Sequence, residues 1–397
     1  MRILQVNRPK EITQIMQDIQ VDSYGIRIML PKAVSCLIKM NSVSNITANI
    51  LKQEMLSLGG DVAVARGALT GKAKKTDCLL MGNLSQFNRL NQKLKLQPFG
   101  LNQLAQNLDA TLRNYQRDDF NIDLGRFKLN LVTGKTCIMG IINITPDSFS
   151  GDGLYYSSRA EILDYAQRLA DDGADILDVG GESSRPGAKP ISAKEEISRI
   201  APLIKLLSKK IKVPISVDTY KPEVAQEALD NGAVIINDVT ALRDPKMAKL
   251  AAKHKAGVVI MHMKGNPRTM QRNPKYATLI EDIIDYLDKA MKKGMDAGIQ
   301  KEKFIIDPGI GFGKTPEDNL KILQKLQDFK ILGRPIMVGT SRKSFIGKIL
   351  NANPRGMLSG TVSTCVAAVK NGAKIIRVHD VKEVKQALKV LDAINSA

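Results

Sequence analysis

The feature that most constrains this chain is a repeated alternation in its second part. Short β-branched runs recur at Thr136–Ile144, Ala174–Gly181, Pro214–Thr219, Val234–Val239, Gly257–His262, Phe304–Gly309, Pro335–Thr340 and Ile375–Asp380. Longer stretches with helical periodicity separate them, among them Arg159–Asp172, Ala193–Lys210, Pro222–Asn231 and Leu279–Gly294. Glycines at Asp172-Gly173, Asn231-Gly232 and Asn371-Gly372 supply helix stops. Alternating buried strands and helices imply parallel strands joined by right-handed crossovers. Eight such units in about 260 residues fit an α/β fold of the closed (β/α)8, or TIM, barrel type. An open doubly wound sheet is the alternative.

Nearly every run ends in a polar or glycine-rich cluster. These are Asn143-Ile144-Thr145-Pro146-Asp147, Gly181-Glu182-Ser183-Ser184-Arg185, Asp218-Thr219, Asn237-Asp238, His262, Asp307-Pro308-Gly309, Thr340-Ser341-Arg342-Lys343 and Arg377-Val378-His379-Asp380. A single aspartate at a strand end is most often a turn or a helix cap. A closed barrel brings all eight ends to one face, where active sites are built. Arg377 and His379 stand two residues apart on one strand, so both face the same side and can reach one anion.

Residues 1–123 lack this rhythm. They read as a small α+β domain with an amphipathic stretch at Lys10–Gln20, a mixed region at Gly25–Met40, helical patterns at Ile46–Gly59 and Leu101–Arg113, and a bend at Gly67–Lys75. The division is expected at residues 123/124, with residues 114–125 as a polar linker. Phe127–Leu131 followed by Thr133-Gly134-Lys135 reads as a β-hairpin at the barrel bottom.

Composition narrows the partners. The net charge is +19, yet tryptophan is absent and no basic repeat interleaves with aromatics. Anionic small substrates suit such a field better than nucleic acid does. No run of 18 apolar residues suggests a membrane span, and Met1–Lys10 lacks the apolar core of a secretion signal. Cys36, Cys78, Cys137 and Cys365 form no C-x-x-C pair, and the three histidines show no H-x-x-x-H spacing. Reduced thiols in a cytoplasmic protein are expected, with neither a disulfide framework nor a zinc site.

From about Phe127 onward the chain resembles the dihydropteroate synthases. The motifs are MGIINITPDSFS at 139–150, GGESSRPGA at 180–188, SVDTYKP at 216–222, INDV at 236–239, MHMKGNPRTMQ at 261–271, DPGIGFGKT at 307–315, GTSRKSFIG at 339–347 and RVHDV at 377–381. The resemblance implies condensation of 6-hydroxymethyl-dihydropterin pyrophosphate with 4-aminobenzoate, releasing pyrophosphate, with Mg²⁺ as cofactor. It implies that Asp218, Asn237 and Asp307 meet the donor-rich edge of the pterin, with Met261, Phe312, Gly339 and Ser344 also lining the substrate pocket. Lys343 would touch the pterin and border the aminobenzoate site. Arg377 and His379 would hold the departing pyrophosphate, and Asn143 would give Mg²⁺ its protein oxygen. Ser184, Arg185 and Pro186, with the loop 145–153, would complete the aminobenzoate pocket and keep water out. Arg342 is expected to be a bystander or a structural ion-pair partner.

Two positions depart from the family pattern. The first loop reads SFSGDGL where SFSDGG is usual, and residue 184 is Ser where Thr is common. Residues 1–123 have no counterpart in the minimal enzyme. A pterin-dependent methyltransferase of the same superfamily would not need the intact SRKS and SSRPGA elements. A non-catalytic pterin-binding protein would be expected to lose Lys343, Arg185 or Arg377. A homodimer is a further expectation.

Overall fold

The computed structural model describes residues 1–4, 6, 9–145, 154, 157–183, 189–265, 270 and 274–396. The chain forms two compact units, Met1–Arg113 and Asn114–Ala397.

The first unit has a three-stranded antiparallel sheet in the order β1-β3-β2, from β1 (Ser35–Ser44), β2 (Asp61–Val64) and β3 (Lys75–Asn83). Its helices are α1 (Pro9–Asp18), α2 (Ser23–Ala33), α3 (Asn45–Ser57), α4 (Arg66–Leu69), α5 (Leu84–Leu94) and α6 (Leu101–Gln116). The mixed region expected at Gly25–Met40 thus splits at Val34 into a helix and a strand. Ser44 caps α3, and Asn83 with Gln86 forms a capping box on α5, so each helix starts where a backbone N–H finds a side-chain oxygen. Leu51, Met55, Leu80, Phe87, Leu90 and Leu94 are fully buried in one apolar core of this unit.

The second unit is a closed barrel of eight parallel strands, which rules out the open sheet. In chain order after the hairpin strands β4 (Phe120–Asp123) and β5 (Lys128–Leu131), they are β6 (Cys137–Asn143), β7 (Ile176–Gly180), β8 (Ile215–Asp218), β9 (Ile235–Asp238), β10 (Gly257–Met261), β11 (Phe304–Asp307), β12 (Ile336–Val338) and β13 (Ala373–Val378). The helices between and after them are α7 (Arg159–Asp171), α8 (Ala193–Lys210), α9 (Pro222–Asp230), α10 (Pro245–His254), α11 (Leu279–Asp296), α12 (Pro316–Gln324), α13 (Ser344–Leu350), α14 (Leu358–Lys370) and α15 (Val381–Ser396). Each expected run contains or overlaps an observed strand.

Strand alternation sorts the side chains into two cores. Leu177, Val179, Val217, Ile236, Ile260 and Ile306 pack outward with the helices. Their neighbours Met139, Ile176, Ile235, Val259, Ile305, Met337 and Ile375 fill the barrel's lower interior. Phe120, Ile122, Leu124, Leu129 and Leu131 belong to that second core and plug the barrel bottom. The hairpin therefore differs from its expected form. Phe120–Asp123, read as part of a linker, pairs antiparallel with Lys128–Leu131, and Thr133-Gly134-Lys135 is only the turn into the barrel. The polar Asp118 and Asp119 hid the alternation of Phe120 and Ile122, which are buried while Asn121 and Asp123 are exposed.

The plug sets a limit on truncation. A chain beginning at residue 114 should unfold in one cooperative step. One beginning at residue 126 loses Phe120, Ile122 and Leu124, each contributing about 1.5–3 kcal/mol of burial, and should unfold at markedly lower denaturant. Equal midpoints in a urea titration would contradict the hairpin's role.

Candidate active site

Above the apolar floor the interior positions turn polar. Asp178 on β7, Asn237 on β9, Asp307 on β11 and Arg377 on β13 each stand two residues after the floor residues Ile176, Ile235, Ile305 and Ile375, and Asp218 on β8 stands two after the buried Ser216, so the pleat carries them into the same interior. Arg377 reaches across β6. Its Nε donates to Asp178 Oδ2 at 2.7 Å and its Nη2 to Asp218 Oδ2 at 2.7 Å. Asn237 Nδ2 donates to the same Asp178 oxygen at 3.0 Å. Asp178 is fully buried, and its Oδ1 has no hydrogen-bond partner among the described residues. The aspartates raise the Arg377 pKa even though its burial pulls the other way. Burial pushes the Asp218 carboxyl up against the pull of Arg377, and Asp178 pushes it the same way.

Asp307 forms the next corner. Its Oδ1 accepts from Gly309 N at 2.7 Å, closing a turn in which Gly309 has φ +72°. A Cβ at Gly309 would lie 2.0 Å from the His262 carbonyl oxygen, so only glycine fits. Burial pushes Asp307 up to about 6, opposed by the Gly309 N–H and by Lys343, Lys314 and Arg377. The turn leads to Phe312, whose ring centre lies 4.3 Å from the Lys343 ammonium. Phe312 also packs with Met261, Val239, Met263, Met270 and Tyr220 in an apolar cluster at the same end.

Asn143, at the end of β6, and His379, just past β13, approach each other at 3.5 Å between Nδ2 and Nε2. Ser341 Oγ lies 2.9 Å from His379 Nδ1 and accepts from the His379 N–H at 3.2 Å. Arg342 lies next to Ser341 in the chain. It grips Asp380 with both ends of its fork, at 3.1 and 2.5 Å, and it occupies the left-handed region at φ +55°. Gly339 sits beside Arg377, where a Cβ would be 3.8 Å from the arginine's own Cβ. Ser344 opens α13 and is exposed. Ser184, Arg185 and Pro186, and the loop residues 146–153, lie outside the described residues.

Among the described residues no cluster of three histidine, cysteine, aspartate or glutamate side chains could hold a metal. A cavity of about 430 Å³ opens at the barrel's other end, beside Leu124, Val234, Ala256 and Lys303. It contains none of these polar groups.

The sequence profile described as "Pterin binding enzyme" matches residues 139–379. The chain belongs to the pterin-binding enzyme family. Within it, the dihydropteroate synthase of Bacillus subtilis is 46% identical over 261 residues, which cover 66% of this chain and 89% of that protein. The Yersinia pestis dihydropteroate synthase, solved with a sulfonamide drug, superposes with a TM-score of 0.68 at 40% identity, covering 70% of this chain and all of that one. A Halobacterium salinarum protein described as a "probable bifunctional folylpolyglutamate synthase/dihydropteroate synthase" is 36% identical over 369 residues, 93% of this chain and 44% of that protein. That span exceeds the barrel unit, so the match extends into the N-terminal unit.

In this pterin-binding enzyme, then, the residues expected at the pterin edge meet in one polar layer. Sequence reasoning missed the residues that hold them. Asp178 sits in the run Ile176–Gly180, where one carboxylate among apolar neighbours was the available signal. Glu182 was read only as part of a strand-end cluster. Its Oε2 accepts from Lys221 Nζ at 2.6 Å and from Ile191 N at 3.0 Å, while Oε1 accepts from Tyr220 at 2.8 Å. Lys221 also donates to Glu196 at 2.6 Å and to the Ile191 carbonyl at 2.7 Å.

Removing Asp178 should be costly. Asp178→Ala strips the acceptor from Arg377 Nε and Asn237 Nδ2 and should destabilise the barrel by about 3–5 kcal/mol. Chemical unfolding checks this, and an unchanged midpoint would mean the network does not hold the layer together.

Proposed function

We propose that this chain joins 6-hydroxymethyl-7,8-dihydropterin pyrophosphate to 4-aminobenzoate, as a dihydropteroate synthase of folate biosynthesis. The observation that carries the reading is the polar layer. Asn237 and Asp307 are 3% and 5% exposed, and with Asp218 they offer oxygen acceptors at the depth where a flat heterocycle presents N–H donors. A ligand without those donors would leave buried acceptors unpaired, which is how such a pocket discriminates. Lys343 and Phe312 stand together beside this layer, one cationic and one aromatic.

The reaction forms a bond from the aminobenzoate nitrogen to the pterin's exocyclic methylene carbon. The C–O bond to pyrophosphate breaks, and the amine loses a proton. Charge builds on the departing anion, so donors placed there stabilise the transition state more than the ground state. His379, whose Nδ1 lies 2.9 Å from Ser341 Oγ, suits that task. Arg377 commits Nε and Nη2 to Asp178 and Asp218, so its action on the anion rests on its remaining Nη1 and its charge. Asn143 suits a Mg²⁺ ion that arrives with the pyrophosphate: it offers one neutral oxygen, and phosphate and water oxygens complete such shells. When bound, that ion supplies positive charge to the leaving group. The free thiols Cys36, Cys78, Cys137 and Cys365 suit the reducing cytoplasm, and no described helix is long and apolar enough to cross a membrane.

Depth sets the order of binding. The pterin acceptors Asn237 and Asp307 are buried and Asp218 is half-buried, whereas Lys343 is half-buried and Ser344 is exposed at the rim. Aminobenzoate should therefore bind weakly to the enzyme alone and more tightly once a pterin and pyrophosphate are present. Calorimetry in both conditions tests this, and equal affinities would exclude the order.

Asp218→Asn turns an acceptor into a group that also donates toward the pterin edge. Pterin affinity should fall by about 1–3 kcal/mol, with little change for aminobenzoate. An unchanged pterin affinity would remove Asp218 from the pocket.

A further inference from the structure

A buried lysine has no place in the reading above. Lys314 is 2% exposed and lies in the loop between β11 and α12. No carboxylate among the described residues is within ion-pair distance. Its Nζ instead meets His262 Nδ1 at 2.9 Å, the His262 carbonyl at 3.3 Å and the Phe312 carbonyl at 3.0 Å. All three ammonium protons therefore find acceptors, two at the end of β10 and one in the lysine's own loop. His262 N–H in turn donates to the Asp307 carbonyl at 3.0 Å. The loop is tied at other points too: Gly311 N to Asn319 Oδ1 at 2.8 Å and Tyr276 OH to the Gly313 carbonyl at 2.6 Å.

We propose that Lys314 is a positioning residue: it fixes the Phe312 backbone beside Lys343 and supplies buried positive charge that keeps Asp307 a carboxylate for the pterin's N–H donors. The proposal rests on the pterin reading of the site.

The electrostatics agree with the geometry. Burial lowers Lys314 to about 7, while Asp307 and Asp318 support its charge and Lys343 opposes it. His262 is held neutral, pushed down to about 2 by burial and by Lys314 and Lys264, which leaves Nδ1 as an acceptor. Tyr286 packs edge-on against the imidazole at 4.9 Å and Tyr276 lies at 6.0 Å. Asp307 is faced by Lys314, by Lys343 after β12 and by Arg377 on β13. Each of these cations lowers an acid that burial raises to about 6. Loss of the Lys314 charge must therefore move Asp307 upward, so that it protonates nearer neutrality and stops accepting from the pterin.

The test is calorimetry of the full chain with 6-hydroxymethylpterin between pH 5 and 8. Beside the titration of Asp218, itself raised to about 7, wild-type affinity should fall as pH drops through about 6, where Asp307 protonates. Lys314→Gln keeps a donor but removes the charge, and should move that fall upward by roughly one unit. Affinity would then be about threefold to fivefold weaker near pH 6 and similar at pH 8, the change expected for such a shift. Lys314→Arg should restore the wild-type profile. A folded Lys314→Gln protein with the wild-type profile overturns the proposal. If that variant does not fold, Asp318→Asn decides: a smaller upward shift supports the proposal and an unmoved profile overturns it. A wild-type protein that binds no pterin at any pH overturns the pterin reading itself, and this inference with it.

Discussion

The ion pair between Arg377 and Asp178 organises the upper half of the barrel. It spans β13, β6 and β7, and through Asp218 and Asn237 it extends to β8 and β9. Burying such charges is expensive, and apolar replacements of similar volume often stabilise a protein as well or better. The pair is better understood as a placement device. It fixes one oxygen of Asp178, one of Asp218 and the amide of Asn237 in a single layer, with the apolar floor of Met139, Ile176 and Ile375 beneath them. A substrate that meets this layer encounters acceptors already oriented, so little ordering remains to oppose binding.

The same layer explains the carboxylates' electrostatics. Asp218 and Asp307 are both raised by burial, and both are pulled down by cations from other strands. Arg377 serves both, Lys343 serves both, and Lys314 serves Asp307. The charge of +19 over the whole chain says little about this balance. What matters is that a few cations face the buried acids at short range, where the surrounding dielectric is low. The dispersed lysines need no nucleic-acid partner to account for them.

Much of the fold was legible because each strand has apolar side chains on both faces of its lower half and polar ones at its upper end. Ile176-Leu177-Asp178-Val179 shows why: the floor and the outer core both demand apolar residues, while the third position points into the site. The hairpin was less legible, since Phe120 and Ile122 alternate over only four residues and the adjoining aspartates resemble a linker. At the site, Asp218, Asn237, Asp307, Arg377 and His379 stood out by their strand-end positions. Their partners did not. Nothing in the order of residues shows that Arg377 turns toward Asp178, or that Lys314 bonds to a histidine 52 positions away. Those contacts depend on closing the barrel, which brings distant strand ends together.

Closure also bears on the N-terminal unit. A barrel without a plug would open its lower interior to water, and here residues 120–131 close it from within the barrel unit itself. Residues 1–113 hold a separate apolar core built from α3, α5, α6 and the three-stranded sheet. The polar layer is likewise assembled wholly from the barrel's strands and the loops beyond them. The match to the Halobacterium protein, which reaches beyond the barrel, gives this first unit a counterpart that the Bacillus match, at 66% of the chain, does not require.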